Sequence, residues 1–144
     1  MTPERLRQGV LGTWKLVSYV REVLGSEERF NQFGEDPAGH LGYSPDGRMY
    51  AIFVRQDRIT PGDVVPTDEE GVKLLGTMVA YAGKFTLDAE KVVHHIDVSW
   101  NQAWTGTQQV RYYQLNGDVL TITTAPTGVI RTAGRGVRSW SGKR

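Results

Sequence analysis

The dipeptide Asn116-Gly117, set between two alternating runs in YYQLNGDVLTITT, constrains this chain more than any other feature. A tight hairpin turn of the favoured hand needs positive φ, which Asn and Gly tolerate and most residues do not. The sequence therefore predicts an antiparallel hairpin in which Leu115 faces Asp118, Tyr113 faces Leu120 and Arg111 faces Ile122. Leu120 and Ile122 are the apolar set of their strand, so the turn places Arg111 and Tyr113 on the inner face regardless of their polarity.

Two more hairpins are predicted. In GHLGYSPDGRMYAIFV, Pro45 fixes φ, Asp46 suits the next position and Gly47 can take the left-handed conformation. Ser44 then opposes Arg48, and Leu41, Tyr43, Met49, Ala51 and Phe53 share one face. In YAGKFTLDAEKVVHHIDVS the chain turns around Asp88-Ala89-Glu90, and Val92, His94, Ile96 and Val98 alternate with Val93, His95, Asp97 and Ser99. The first set is apolar, so His94 is predicted to point inward and His95 outward. Near the start, TWKLVSYVREV alternates Trp14, Leu16, Ser18 and Val20 against Lys15, Val17, Tyr19 and Arg21.

Two helices complete the inventory. TPERLRQGV has Thr2 as a cap, Pro3 in first helical position, and Leu6 and Val10 on one face. PTDEEGVKLLGTMVAY opens with the capping box Thr67-x-x-Glu70. Its stripe Val72, Leu75, Met78, Val79 is expected to pack on a sheet through a helix over about 67–82. The long connections LGSEERFNQFGEDPA and RQDRITPGDVVP read as binding lids or disorder, though Phe30 and Phe33 would be wasted on disorder.

The total is all-β: about eight strands, hairpin after hairpin, with a short N-terminal helix and one helix inserted mid-chain. That pattern fits a sandwich or a barrel, and a barrel of about eight strands is either filled by side chains or holds one small ligand. At 144 residues the expectation is a single domain over residues 1–144.

Composition narrows the function. With 17 Lys+Arg against 16 Asp+Glu and no basic stripe, no nucleic-acid partner is expected. The basic tail of Arg135, Arg138, Lys143 and Arg144 reads as a solvated end. No cysteine is present, which excludes disulfides, thiolate metal sites and cysteine nucleophiles. Neither a signal-like apolar run nor a membrane-span length occurs, so a cytoplasmic protein with no membrane partner is expected.

The stretch HHIDVSWNQAW concentrates the chemistry-bearing residues. Adjacent strand residues point to opposite faces, so His94 and His95 cannot share a metal. His95 and Asp97 do share a face, but the one other histidine is His40, too few for a ligand set, and no metal is expected. Known catalytic motifs are missing: no nucleophile elbow, P-loop, dinucleotide fingerprint or H-E-x-x-H occurs, and no cofactor is expected. Gly134-Arg135-Gly136 resembles a phosphate loop only superficially, and Glu27-Glu28 and Asp68-Glu69-Glu70 are explained by solvation or capping.

An inward His94 is desolvated and therefore neutral; it either anchors a ligand or moves a proton, or it is a core histidine bonded to a carbonyl or tyrosine. Arg111 cannot shed its charge and must meet a carboxylate such as Asp118, backbone carbonyls, or an acidic or carbonyl ligand. Ser18, Tyr43, Tyr81 and Tyr113 are predicted to add inward hydroxyls to an apolar wall that includes Met49 and Phe53. Trp100 and Trp104 flank a corner at Asn101 and Gly106, as a cavity rim or an oligomer contact.

The segments LGTWKLVSY, GHLGYSPDGRMYA and VVHHIDVSWNQAWTGTQQVRYYQLNGDVLTI resemble the bacterial and fungal lipocalin-like domain family, from about Leu11 to Trp140. Gly12-x-Trp14 is similar to the lipocalin signature, whose tryptophan packs across the closed base of the barrel. The resemblance implies a closed antiparallel barrel with a ligand cavity, and Arg111 laid on Trp14 by cation–π contact as an alternative to ligand anchoring. Because the second helix sits in mid-chain and not after the last strand, ligand geometry does not transfer from secreted lipocalins.

Three functional expectations result. The first is a barrel holding one small, mostly apolar molecule, with Trp14, Ser18, Tyr43, Met49, Phe53, Tyr81, His94, Trp104, Arg111 and Tyr113 as ligand-binding residues. The second is a cofactor-free cyclase or isomerase of a hydrophobic biosynthetic intermediate, with His94 and Tyr43 catalytic. The third is a structural homodimer with a filled core.

Overall fold

The computed structural model describes residues 2–23, 29–124 and 136–143, with the side chains of Pro3, residues 21–23, 29–30 and 136–143 left aside. Glu27-Glu28, the Phe30 side chain, Gly134-Arg135-Gly136 as a loop, and the side chains of the basic tail thus lie outside the described residues.

Helix α1 (Pro3–Val10) precedes strands β1 (Gly12–Val23), β2 (Arg29–Asn31), β3 (Ala38–Tyr43) and β4 (Arg48–Val54). Helix α2 (Asp68–Gly76) is followed by β5 (Met78–Leu87), β6 (Lys91–Ser99), β7 (Gln108–Asn116), β8 (Val119–Thr123) and β9 (Gly136–Lys143). Each strand from β3 to β9 pairs antiparallel with the next, β3 pairs with β1, and β1 pairs with β9. Eight strands therefore close a ring, as expected, while short β2 pairs beside β3 on the far half of β1.

The hairpin chemistry holds with one slip. Gly47 has φ of 89°, and Ser44 N–H donates to the Arg48 carbonyl at 2.8 Å, as Pro45-Asp46-Gly47 predicts. At the other hairpin Leu115 pairs with Leu120 and Tyr113 with Ile122, two residues from the predicted register. Gly117 and Asp118 are the turn residues; Gly117 has φ of 64° and no non-glycine among the described residues has positive φ. Glycine in first central position suits a type II′ turn better than the Asn-Gly type I′ turn. A slip of two preserves the faces, so Arg111 and Tyr113 still point inward.

Helix α1 closes the end where the hairpins turn. Thr2 caps it, accepting from Arg5 N–H at 3.3 Å. Val10 is buried, and its carbonyl accepts from Trp14 Nε1 at 2.8 Å. Arg7 donates to the Pro45 carbonyl at 2.9 Å and lies 4.9 Å over the Phe85 ring. Gly9 passes so close to Leu115 that a Cβ would stand 2.6 Å from its Cδ2.

The second helix departs from expectation. Its capping box forms, with Thr67 and Glu70 reciprocally bonded. It ends at Gly76, however, and Met78 and Val79 begin β5, so the apolar stripe is split between two elements. Val72 and Leu75 are 74% and 54% exposed and no α2 residue is buried. What holds α2 is polar: Arg58 donates to the Leu74 carbonyl at 3.0 Å and to Thr77 Oγ1 at 3.2 Å, a cation on the helix C-terminus. The earlier connection is pinned by Phe33, buried between Tyr19 (5.0 Å) and Phe53 (5.7 Å). Burying such a ring contributes about 1.5–3 kcal/mol.

Candidate functional site

Strand alternation delivers side chains to the interior, and two bulges decide which ones. In β1 the pairing with β9 slips between Leu16 and Ser18. Trp14 and Leu16 point in before the bulge, Tyr19 points in after it, and Ser18 is turned from the inward set. In β6 the pairing slips between Ala82 and Gly83, leaving Asp97 as the extra residue. Val92, His94 and Ile96 are buried, but Val98 is 58% exposed. The inward places predicted for Ser18 and Val98 are thus corrected, because one extra residue reverses the faces of everything beyond it. Gly83 permits the second bulge: a Cβ there would stand 1.9 Å from the His95 carbonyl oxygen.

At the centre, His94 is 2% exposed and its ring is held on both sides. Tyr43 Oη lies 2.6 Å from Nε2, and Tyr81 Oη lies 2.9 Å from Nδ1. Burial pushes the His94 pKa well below the usual histidine value, and the charges of Arg111 and His95 push the same way. The imidazole is therefore neutral. Burial likewise raises both tyrosines, well above the ordinary value for Tyr43, so each keeps its proton; the Arg111 charge opposes the rise in both.

This cluster borders a cavity with about 40 Å³ open to water-sized spheres. Since one water needs roughly 10–15 Å³ on that measure, the space takes a few waters or the head of a larger molecule. His94, Tyr81, Leu41 and Ala51, all buried, form part of its wall. Tyr19, Phe53, Ile122 and Val79 form the sides, while half-buried Trp104, Arg111 and Thr124 stand toward the opening. Trp104 is carried by a single 3₁₀ turn, Gln102–Trp104, capped by Asn101 and packed 5.5 Å from Tyr81 and 5.1 Å from Trp100. Gly106, with φ of 84°, returns the chain to β7.

Arg111 has no carboxylate partner among the described residues. Its side chain bonds the Val110 carbonyl at 3.1 Å, and its guanidinium faces the Tyr81 oxygen. Asp118 is at the opposite end of the barrel in the β7–β8 turn, and among the described residues the cation laid over a ring at the base is Arg7 on Phe85 and not Arg111 on Trp14.

Of the residues expected at a ligand site, Phe53, Tyr81, His94, Trp104 and Arg111 line the cavity, and Tyr43 stands directly behind His94. Trp14 and Met49 are buried without lining it. Tyr113 is spent elsewhere, donating to the Asp88 carbonyl at 2.6 Å. Tyr19, Val79 and Thr124 were not anticipated: a bulge hides the first, a misplaced helix end the second, and the third follows the last residue of β8. On the outer wall Asp97 is clamped by Arg48 at 2.7 and 3.0 Å, which holds its carboxyl below the usual range, and His95 meets Thr86 Oγ1 at 3.0 Å. No cluster suited to a metal ion occurs among the described residues.

A 4'-hydroxy-3'-methoxypropiophenone carrier protein of Aspergillus oryzae is 32% identical over 72 residues, which cover 44% of this chain and 65% of that relative. An uncharacterized protein from Bacteroides eggerthii, known by crystal structure, aligns over 94% of this chain and 99% of its own with a TM-score of 0.46 and 12% identity. The sequence profile of the lipocalin-like domain matches residues 11–140, the whole of the closed ring but for its final residues, and the chain belongs to that family.

Proposed function

We propose that this barrel, acting as one domain in the cytoplasm, binds a single small, mostly apolar molecule. The polar head enters the cavity beside Tyr81, His94 and Arg111, and the apolar body lies along Tyr19, Phe53 and Trp104. The observation that carries this reading is an arginine at a largely aromatic cavity with no carboxylate among the described residues to answer it. A relative named as a carrier of a small aromatic molecule supports it. The open space weighs against a completely filled core and a purely structural dimer. The test is native mass spectrometry on protein from its own host, beside Ala51→Leu, which adds bulk to the cavity wall. A retained small molecule in the native protein, absent from a folded Ala51→Leu, is the expected result; equal retention in both would refute binding at this cavity.

A second reading is favoured by the Tyr43–His94–Tyr81 chain. Three hydrogen-bonded groups that can pass protons are also the equipment of a cofactor-free cyclase or isomerase. Tyr43→Phe separates the two readings, since it leaves the cavity wall intact. Lost turnover with unchanged affinity identifies the enzyme.

A further inference from the structure

The direction of each hydrogen bond in the buried chain follows from what its members can donate. Tyr43 is 1% exposed, and among the described residues the one hydrogen-bond partner of its hydroxyl is His94 Nε2. A phenol that only accepted there would leave its own proton buried without an acceptor, so Tyr43 donates. Nε2 is then the bare nitrogen, and a neutral imidazole carries its proton on Nδ1. Nδ1 donates to Tyr81 Oη across 2.9 Å. Two other polar groups act on that oxygen: the Arg111 guanidinium, which donates and cannot accept, and, by charge alone, the Tyr19 hydroxyl. Among the described residues the Tyr81 proton meets no hydrogen-bond acceptor, and its hydroxyl borders the cavity.

We infer that the cavity selects ligands by a carbonyl oxygen on a flat apolar body: beside His94 it presents the Tyr81 O–H and the Arg111 N–H groups, donors both, with the hydroxyls of Tyr19 and Thr124 elsewhere on its lining. This rests on the small-molecule reading above and adds the ligand's chemistry. A carbonyl oxygen has two lone pairs, enough for both donors, and stays uncharged in a desolvated place. The flanking rings of Tyr19, Phe53 and Trp104 suit a planar body. A ligand that set an ammonium against Tyr81 and Arg111 would face like groups and be disfavoured there.

The experiment pairs acetophenone with α-methylstyrene, which has the same flat outline with C=CH₂ in place of C=O. Binding is followed by the ring signals of His94 and Tyr81, and benzoate is the third probe. Acetophenone should bind at least about tenfold more tightly than α-methylstyrene, the worth of one satisfied buried hydrogen bond. That ratio should fall in Tyr81→Phe, whose cavity keeps its shape and retains Arg111 as the remaining donor. Equal binding of the two isosteres would overturn the carbonyl assignment while leaving the small-molecule reading standing. Tighter binding of benzoate than of acetophenone would overturn it in favour of acids. Failure of every probe to bind would sink both. Independently of any ligand, nitrogen NMR of His94 should show the proton on Nδ1, and a proton on Nε2 would refute the chain's direction.

Discussion

Tyr43→Phe removes one oxygen from the centre of the barrel and nothing else. The ring keeps its edge-on packing with Phe85 at 4.8 Å, so little apolar contact is lost. What changes is His94 Nε2, which loses the donor at 2.6 Å in a place where Tyr43 itself is only 1% exposed. A buried acceptor stripped of its partner costs about 1–3 kcal/mol. For a chain of 144 residues the unfolding entropy is about 0.3 kcal/mol per kelvin, so the melting temperature should fall by about 3–10 °C. Tyr81→Phe is the matched control. Its oxygen borders the cavity, where a water can replace it as acceptor for Nδ1–H, and the cost should be under about 1 kcal/mol. Urea unfolding with unchanged m-values measures both. A Tyr43→Phe cost below about 0.5 kcal/mol, or one smaller than that of Tyr81→Phe, would refute the assignment of Tyr43 as the donor that satisfies Nε2.

Stability should fall with acid before the carboxylates titrate. The unfolded chain takes up a proton on His94 near pH 6.5, whereas burial holds the folded pKa well below that, so below pH 6.5 the unfolded state binds more protons. The contribution is whole above that pH and is lost downward to the folded pKa, at up to about 1.4 kcal/mol per pH unit. An ordinary titration midpoint for His94 in the folded protein would contradict this. Gly83→Ala places a Cβ 1.9 Å from a backbone oxygen and should cost about 1–3 kcal/mol or more in denaturation, while a loss under about 0.5 would show that the β6 bulge yields freely. Val72→Ser and Leu75→Ser, on the exposed face of α2, should each change stability by no more than about 0.5 kcal/mol; a loss above 1 would mean that the helix packs after all.

Turn chemistry was the legible part of this sequence. Gly47 and Gly117 occupy positions that only positive φ satisfies, and such local demands are written in local residues. The faces of β7 and β8 survived a register error because it was a slip of two. Errors of one residue were fatal to single assignments. Nothing within TWKLVSYVREV announces the bulge that exchanges Ser18 for Tyr19, since it arises from pairing with a strand more than a hundred residues later. The end of α2 was hidden similarly: the cation that caps it is Arg58, on the connection before the helix. His94 and Arg111 were readable as inward because alternation and turns assign faces. Their separate fates, one enclosed by tyrosines and one left beside open space, depend on cross-barrel distances that no local pattern contains.

Those fates explain each other. Arg111 carries a fixed positive charge at a partly desolvated opening, and a second cation nearby would raise the energy of the barrel interior steeply. A protonated His94 is excluded on that ground as well as by burial. With His94 neutral, each ring nitrogen can have one defined role, and two phenols that keep their protons can bracket it without any charge being created. The β6 bulge then matters beyond packing. Upstream of Asp97 the strand holds His94 inward against Tyr43; beyond it, reversed parity sends Val98 outside and leads the chain into the turn that sets Trp104 against Tyr81. Arg48 clamps the bulged carboxylate from the outer wall, so the same residue that breaks the alternation is also fixed in place. A strand of unbroken register would keep the histidine but point Val98 inward where Ser99 now stands, displacing the aromatic side of the cavity and with it the surface on which a flat ligand could lie.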